Sequence, residues 1–179
     1  MATIPRLSQE ELPPEVAARL RPGIERLGYL GEFFKCAAHQ PAALMSFLAF
    51  TDDLEHALPP RLTETVALTV SAELENPYER HQHERLCLKL GFGDAWVRSI
   101  EERDPARVKF LSAAERAAQA LTLAVLRRHG KGTSGELDAL VGVVGHAQAI
   151  AILMLVGRYV TESLMVNALG LKPPVPSPL

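Results

Sequence analysis

Apolar residues recur at spacings of three and four along almost the whole chain, and almost no stretch alternates with a period of two. This pattern is typical of helices rather than strands. Proline residues stand where the helical patterns begin, and glycine residues stand where several of them end. The sequence therefore predicts one all-α domain, with helices at 14–20, 31–38, 41–57, 60–74, 77–90, 93–102, 112–129, 134–142 and 146–169.

Two of these helices are apolar or small around most of their circumference. They are residues 60–74, PRLTETVALTVSAEL, and residues 146–169. A helix that is apolar all round has to be buried on all sides. We therefore expect a homo-oligomer, in which a neighbouring subunit covers the second face of these long helices.

Composition and charge narrow the possible partners. The chain has 179 residues and a net charge of -2, and it contains no cluster of Lys or Arg. That balance argues against nucleic acid and anionic membrane surfaces as partners. The most apolar run, residues 141–157, is interrupted by His146 and Gln148 and is shorter than the roughly 20 residues that cross a bilayer. No membrane partner is predicted.

The two cysteines, Cys36 and Cys87, lie far apart and form no Cys-x-x-Cys motif. Reduced thiols are the natural interpretation of such a pair. The first residues are polar and acidic, without the apolar segment of a secretory signal. These features lead us to expect a cytoplasmic protein.

The stretch ENPYERHQHERLC, residues 75–87, concentrates the titratable side chains of the chain. Asn76 and Pro77 form a typical helix start, with Glu79 three residues after the cap as in a capping box. His81 and His83 are two residues apart and therefore point roughly 200° away from each other on a helix. They are unable to share one ion, and no metal site is predicted.

Helical spacing divides this segment into two faces. An apolar stripe contains Glu79, His83, Leu86 and Leu90, with Cys87 at its edge. The other side is expected to be a solvated face, made of Arg80, His81, Glu84 and Arg85, with an ion pair between Arg80 and Glu84. His83 is thus a histidine on an otherwise apolar stripe, either hydrogen-bonded core structure or a proton carrier.

The preceding helix carries Glu64 on a small, apolar face with Ala67, Leu68 and Ser71. An acid on such a face is costly unless it is paired or protonated. Glu64 and His83 are therefore two titratable groups on faces that should be buried, on consecutive antiparallel helices. Straight parallel axes would leave them roughly 7–8 Å out of register, so contact requires a steep crossing or a water molecule.

The same residues resemble the carboxymuconolactone decarboxylase / alkylhydroperoxidase D-like family. The resemblance rests on residues 61–68, RLTETVAL, and residues 76–84, NPYERHQHE. Peroxidase members carry a Glu, then Cys-x-x-Cys, then a His four residues after the second Cys. Here Glu64 and His83 match, but Asn76 and Glu79 stand at the thiol positions. The decarboxylase-like branch has Tyr-Glu-Trp before that His, and Tyr78 and Glu79 match its first two residues.

The resemblance covers roughly residues 27–171 and implies an all-helical fold that assembles into trimers or hexamers. It leaves residues 1–26 as an N-terminal arm and residues 172–179, KPPVPSPL, as an extended C-terminal tail on the surface. It also implies a small-molecule substrate and no cofactor.

The resulting hypothesis is a cofactor-independent acid–base enzyme, a probable lyase acting on a small lactone or keto acid. His83 is its principal proton carrier, Glu64 orients it, Glu79 positions substrate or water, and Tyr78 hydrogen-bonds a substrate oxygen. Arg80 and Arg158 are the two candidates for binding a substrate carboxylate. Two alternatives remain open, a peroxidase-like redox protein that uses Cys87 and a non-catalytic oligomeric binding protein.

Overall fold

A computed structural model describes residues 4–179, and over that range it contains helices and no strand. The all-α prediction is confirmed. A short 3-10 helix at Gln9–Glu11 precedes eight α-helices. These are α1 Pro14–Leu27, α2 Glu32–Ala37, α3 Pro41–Ala57, α4 Pro60–Glu73, α5 Pro77–Lys89, α6 Asp94–Glu101, α7 Ala113–Arg128 and α8 Ser134–Ala168.

The helix boundaries follow the signals in the sequence. Proline occupies a first-turn position in α1, α3, α4 and α5, where its missing N–H leaves no hydrogen bond unmade. Ser112 and Glu115 cap α7 reciprocally, each side chain accepting a hydrogen bond from the other's backbone N–H. The first helix is the exception, since it continues through Pro22 to Leu27 instead of ending at residue 20.

Helix α4 lies in the middle of the bundle, in contact with α5, α6, α7 and α8. Every residue from 62 to 71 is buried within this one chain. The inference that α4 needs a neighbouring subunit to cover its second face is therefore wrong. Four helices of the same chain surround it. The periodicity of a single segment does not show whether the helices that cover it come from its own chain or from a neighbouring subunit.

Helix α8 contains a break where the sequence predicts one. Gly145 has φ 80° and ψ 170°, a conformation that residues with a Cβ rarely adopt, and the axis kinks there. Beyond the kink, Ile152, Leu155 and Val156 face the core, while Ile150, Met154 and Leu164 are each about half exposed. One side of α8 thus remains apolar and uncovered in the single chain.

By length and composition, α8 is the one helix among residues 4–179 that is apolar enough to cross a membrane. The core helix of a water-soluble protein has the same composition, and α8 carries the charged pair Arg158 and Glu162 on its buried side. The absence of a membrane partner stays a prediction.

Both terminal segments of the described range, which begins at residue 4, pack against the folded body. The described part of the predicted arm buries Leu12, Val16 and Leu20 in a cluster with α2 and α3, whereas residues 1–3 lie outside the described residues. Residues 172–179 are non-helical, as predicted, and run along α5, where Ser177 Oγ donates to Glu84 Oε2 at 2.5 Å.

The prediction of a fully solvated face on α5 is therefore wrong at Glu84, which is 2% exposed. The C-terminal segment covers it. The expected ion pair between Arg80 and Glu84 is present, with Arg80 Nε 3.3 Å from Glu84 Oε1.

Candidate active site

The site begins at the short connection between α4 and α5. Glu75 has φ 51°, and the Asn76 N–H donates to the Ser71 carbonyl, which reverses the chain direction. Asn76 then caps α5, because its side-chain oxygen accepts from the Glu79 N–H at 3.2 Å. Its amide nitrogen donates to Ser163 on α8 at 3.0 Å. This residue thus fixes the start of α5 against both neighbouring helices.

Glu64 and His83 are in direct contact. His83 Nδ1 lies 2.7 Å from Glu64 Oε2, so the two helices meet without the water that straight parallel axes would have needed. Glu64 is 4% exposed, and a carboxyl group buried to that extent needs a hydrogen-bonding or charged partner. His83 is that partner.

Glu79 faces the other ring nitrogen of His83. Its Oε2 lies 3.4 Å from His83 Nε2, while its Oε1 accepts from Gln82 Nε2 at 3.3 Å. Gln82 in turn accepts a hydrogen bond from Tyr29 at 3.0 Å. The Glu79 side chain therefore points into the site and does not complete a capping box with Asn76, although the backbone cap that the sequence predicts is present.

Two carboxylates, one on each ring nitrogen, determine the charge of His83. Burial acts to lower the pKa of His83, but the charges and hydrogen bonds of Glu64 and then Glu79 outweigh it and raise that pKa to about 10. Both ring nitrogens then act as donors, which matches the presence of an acceptor at each. His83 is a protonated imidazolium at neutral pH.

This charge state leads to the first testable prediction. The NMR signals of the His83 ring are expected to titrate near pH 10 instead of near the ordinary value of 6.5. Because the folded-state pKa is the higher one, the stability that His83 contributes is full below pH 6.5 and is lost as pH rises through 10.

Glu79→Gln is the matched control for this titration. It removes one of the two carboxylates and should move the His83 midpoint toward lower pH. A wild-type midpoint close to 6.5 would show that the ion pairs do not hold the ring charged.

A second pair of buried side chains lies against the first. Arg158 and Glu162, one turn apart on α8, are in contact, and both side chains are buried. Arg158 Nε also donates to Thr51 Oγ1 at 3.1 Å, and its guanidinium stacks 4.3 Å from the Tyr159 ring. The Tyr159 ring meets the His83 ring edge to face, with 5.3 Å between their centroids.

Glu79 and Glu162 are two buried carboxyls, and each affects the pKa of the other. Burial and the neighbouring Glu79 raise the pKa of Glu162 to about 8 against the opposing charge of Arg158. Burial would also raise the pKa of Glu79, but hydrogen bonding to His83 and its positive charge lower it. Glu162 is therefore the protonated member near neutral pH.

Tyr78 does not occupy the role that the sequence suggested. Its hydroxyl accepts a hydrogen bond from the Phe33 N–H at 3.2 Å, and its ring packs in the cluster formed by α1, α2 and α3. Burial raises the pKa of Tyr78 above its ordinary value. The structure places this residue as a support for α2, outside the hydrogen bonds around His83.

Cys87 is close to the site but is poorly suited to react. Its thiol is fully buried and lies 3.5 Å from Glu64 Oε2, to which it donates. Burial, followed by the Glu64 charge, raises the pKa of Cys87 far above its ordinary value. Cys36 is also buried with a raised pKa. A nucleophilic thiolate needs the opposite environment.

The structure thus brings together three of the four predicted site residues, Glu64, Glu79 and His83. Sequence reasoning missed Glu162, and it proposed Arg158 only as a ligand for a substrate carboxylate, not as the buried partner of Glu162. One signal was available, since these are two opposite charges four residues apart inside an otherwise uncharged segment of α8. Among residues 4–179, no group of three or more His, Cys, Asp or Glu side chains has the arrangement of a metal site.

No family model and no curated protein matches this sequence. Solved structures do. A peroxidase-related protein from Ralstonia eutropha, described as an alkylhydroperoxidase AhpD core, superimposes with a TM-score of 0.81 at 18% identity, over 97% of this chain and 94% of its own.

Two further structures agree. A protein of unknown function from Agrobacterium tumefaciens, proposed to be an antioxidant defence protein AhpD, gives a TM-score of 0.70 at 17% identity over 78% of this chain and 96% of its own. A variant of the debrominase Bmp8, in complex with 2,3,4-tribromopyrrole, gives a TM-score of 0.79 at 17% identity over 95% of this chain and 90% of its own. At these identities the likeness concerns the fold, and this chain has the AhpD-like helical fold.

Proposed function

We propose that this protein is a cofactor-independent acid–base enzyme of the carboxymuconolactone decarboxylase type, acting on a small lactone or keto acid. The observation that supports the proposal is the position of the His83 ring between Glu64 and Glu79 in a buried polar cluster, where the two carboxylates favour its protonated form. A charged donor in such surroundings can stabilise developing negative charge and return a proton to carbon.

The two contacts of His83 have different roles in this proposal. The short Nδ1 contact to Glu64, 2.7 Å, fixes the ring orientation throughout the reaction. The Nε2 contact to Glu79 is longer, at 3.4 Å. In the proposed complex a substrate carbon or oxygen takes the place of Glu79 beside Nε2. Glu79 then positions the substrate or a water molecule.

The direction of proton transfer follows from the charge of His83. With both ring nitrogens protonated, His83 has no free lone pair to act as a base. When the carbon–carbon bond to the substrate carboxylate breaks, CO₂ leaves. The electron pair of that bond remains on the substrate, which becomes an enolate. The Nε2 proton then passes to carbon, and solvent reprotonates the ring. Protonation after decarboxylation fits the site better than proton abstraction from a carbon acid.

The redox alternative has less support in this chain. A thiol peroxidase needs an accessible thiolate of lowered pKa, whereas Cys87 is buried and its pKa is raised. The AhpD-like neighbours are consistent with a redox role on this fold, and the debrominase binds a small halogenated pyrrole. That complex supports a small organic molecule as the partner of such a fold.

The uncovered face of α8, with Ile150, Met154 and Leu164, is the surface on which a homo-oligomer would form. A trimer or hexamer stays a prediction, as does a cytoplasmic location.

The function is tested by incubating the purified protein in D₂O with a panel of carboxylated lactones and β-keto acids. We expect CO₂ release with deuterium in the product, and a rate lowered about 10²–10⁴-fold in His83→Gln because the proton donor is gone. Cys87→Ser should keep nearly the wild-type rate.

If Cys87→Ser loses turnover while His83→Gln keeps it, the reaction depends on the Cys87 thiol and not on His83. A folded protein that binds members of the panel with equal affinity in wild type and His83→Gln, without turnover, would favour the non-catalytic binding protein.

A further inference from the structure

A cavity of about 530 Å³ lies on another part of the surface, between the start of α4, the segment before α7 and the region of α8 next to Gly145. It is open to solvent and its walls are mostly apolar, and its lining includes neither His83 nor Glu79. The wall residues are Leu62, Phe110, Ala114, Val143 and Val144. Phe110 is 63% exposed, so a large aromatic ring stands at the opening with little protein to cover it. A cavity of this size fits a small organic molecule.

Arg61 provides the one cationic side chain in this lining. Its guanidinium is held on three sides. Nε donates to Glu115 Oε1 at 2.5 Å, and the guanidinium carbon lies 4.9 Å from the Phe92 ring centre and 4.8 Å from that of Trp96. Stacking on two aromatic rings fixes the plane of the group before any ligand arrives.

The terminal nitrogens of Arg61 keep their donors available. Within residues 4–179, only Nε of this guanidinium has a hydrogen-bond acceptor, and the side chain is 42% exposed. Glu115 cannot take further donors easily, because its second oxygen already accepts from the Ser112 N–H at 2.6 Å. A rigid guanidinium with free N–H groups is suited to bind a carboxylate in the plane of the group.

We propose that the Arg61 cavity binds a small organic acid with one carboxylate and an apolar body, such as an aryl or branched alkyl monocarboxylate. The carboxylate binds the terminal nitrogens of Arg61, and the body lies against Leu62, Phe110 and Val143. Because Arg61 is the one cation present and Glu115 already balances it, a dianion such as phosphate is disfavoured, and phosphate has no body to fill the apolar wall.

Trp96 gives this site its own optical probe. It is the only tryptophan in the sequence, and it stacks on the guanidinium that holds the ligand. Titration of the purified protein with benzoate is expected to change its tryptophan fluorescence and to saturate. Benzamide, which has the same shape without the charge, should bind about tenfold more weakly or not at all.

Three variants locate the binding. Arg61→Lys keeps the positive charge but loses the planar pair of donors, and it should weaken benzoate binding about tenfold. Phe110→Ala removes an exposed wall residue, so it should weaken binding without unfolding the protein; it keeps the test decisive if Arg61→Lys is unstable. Arg107→Lys, at a side chain that is 88% exposed and outside the cavity lining, is the matched control and should bind as the wild type does.

The cavity lining contains none of Glu64, Glu79 and His83, so His83→Gln should bind benzoate unchanged. Equal binding of benzamide and benzoate, or unchanged affinity in both Arg61→Lys and Phe110→Ala, would overturn the proposal. Loss of binding in His83→Gln alone would do so too, by placing benzoate at the other site.

Discussion

His83→Ala is expected to lower the free energy of unfolding by about 3–5 kcal/mol, as the breaking of buried ion pairs typically does. The substitution leaves Glu64 and Glu79, which are 4% and 6% exposed, facing each other without the cation between them. Their mutual repulsion and desolvation, rather than the lost contacts themselves, account for most of the cost. Urea denaturation at pH 7, followed by circular dichroism, measures the effect.

The double variant Glu64→Gln/His83→Ala serves as the control for this interpretation. It removes one of the two uncompensated charges and should be more stable than His83→Ala alone. A single variant that loses less than about 1 kcal/mol would mean that water or a neutralised carboxyl already replaces the cation, contrary to the buried pairing described above.

Arg158→Met is expected to lower the free energy of unfolding by about 1–3 kcal/mol, because it takes the donor that Arg158 supplies away from the buried Glu162 carboxyl and the Thr51 hydroxyl. Arg158 is 8% exposed and Glu162 is 3% exposed, and methionine fills much of the space of the arginine side chain. The double variant Arg158→Met/Glu162→Leu should recover most of the loss, since an apolar pair of similar volume replaces both buried polar side chains. The midpoint of urea denaturation for the two variants, measured side by side, decides between these outcomes.

The pH dependence provides a check on the same pair. The folded-state pKa of Glu162 is about 8, above its ordinary value of 4.5, so the folded protein holds a proton that the unfolded chain releases. Its contribution to stability is therefore full below pH 4.5 and is lost as pH rises through 8. Glu162→Gln, which cannot ionise, should lose less stability than the wild type over that range. Parallel pH profiles would contradict the raised pKa.

Local signals predicted the helices because they act within a few residues of one another. Pro41, Pro60 and Pro77 each begin a helix, since proline tolerates only the first turn. The break at Gly145 and the Asn76 cap were predictable for the same reason. The exception, α1 beyond residue 20, continues through Pro22 while Val16 and Leu20 pack in the core.

The site was partly predictable because the buried face of a helix shows as a regular spacing of apolar residues within that helix. Glu64 and His83 each appear as a titratable residue on an apolar stripe, and that pattern is legible without coordinates. The position of Tyr78 outside the site was not predictable, because its hydroxyl accepts a hydrogen bond from the N–H of Phe33, 45 residues away. Arg158 and Glu162 join the site from α8, and no spacing within one helix relates them to Glu79 or His83.

The sequence by itself determined an all-α chain, the positions of most of its helix ends, and a buried acid and histidine on consecutive helices. Each of these depends on periodicity or on capping, which are local properties of the chain. Only the tertiary structure decided that α4 is covered by its own chain, that Glu64 contacts His83 directly, and that His83 lies between two carboxylates. These depend on the angles at which distant helices cross, and such angles are fixed by packing across the whole core.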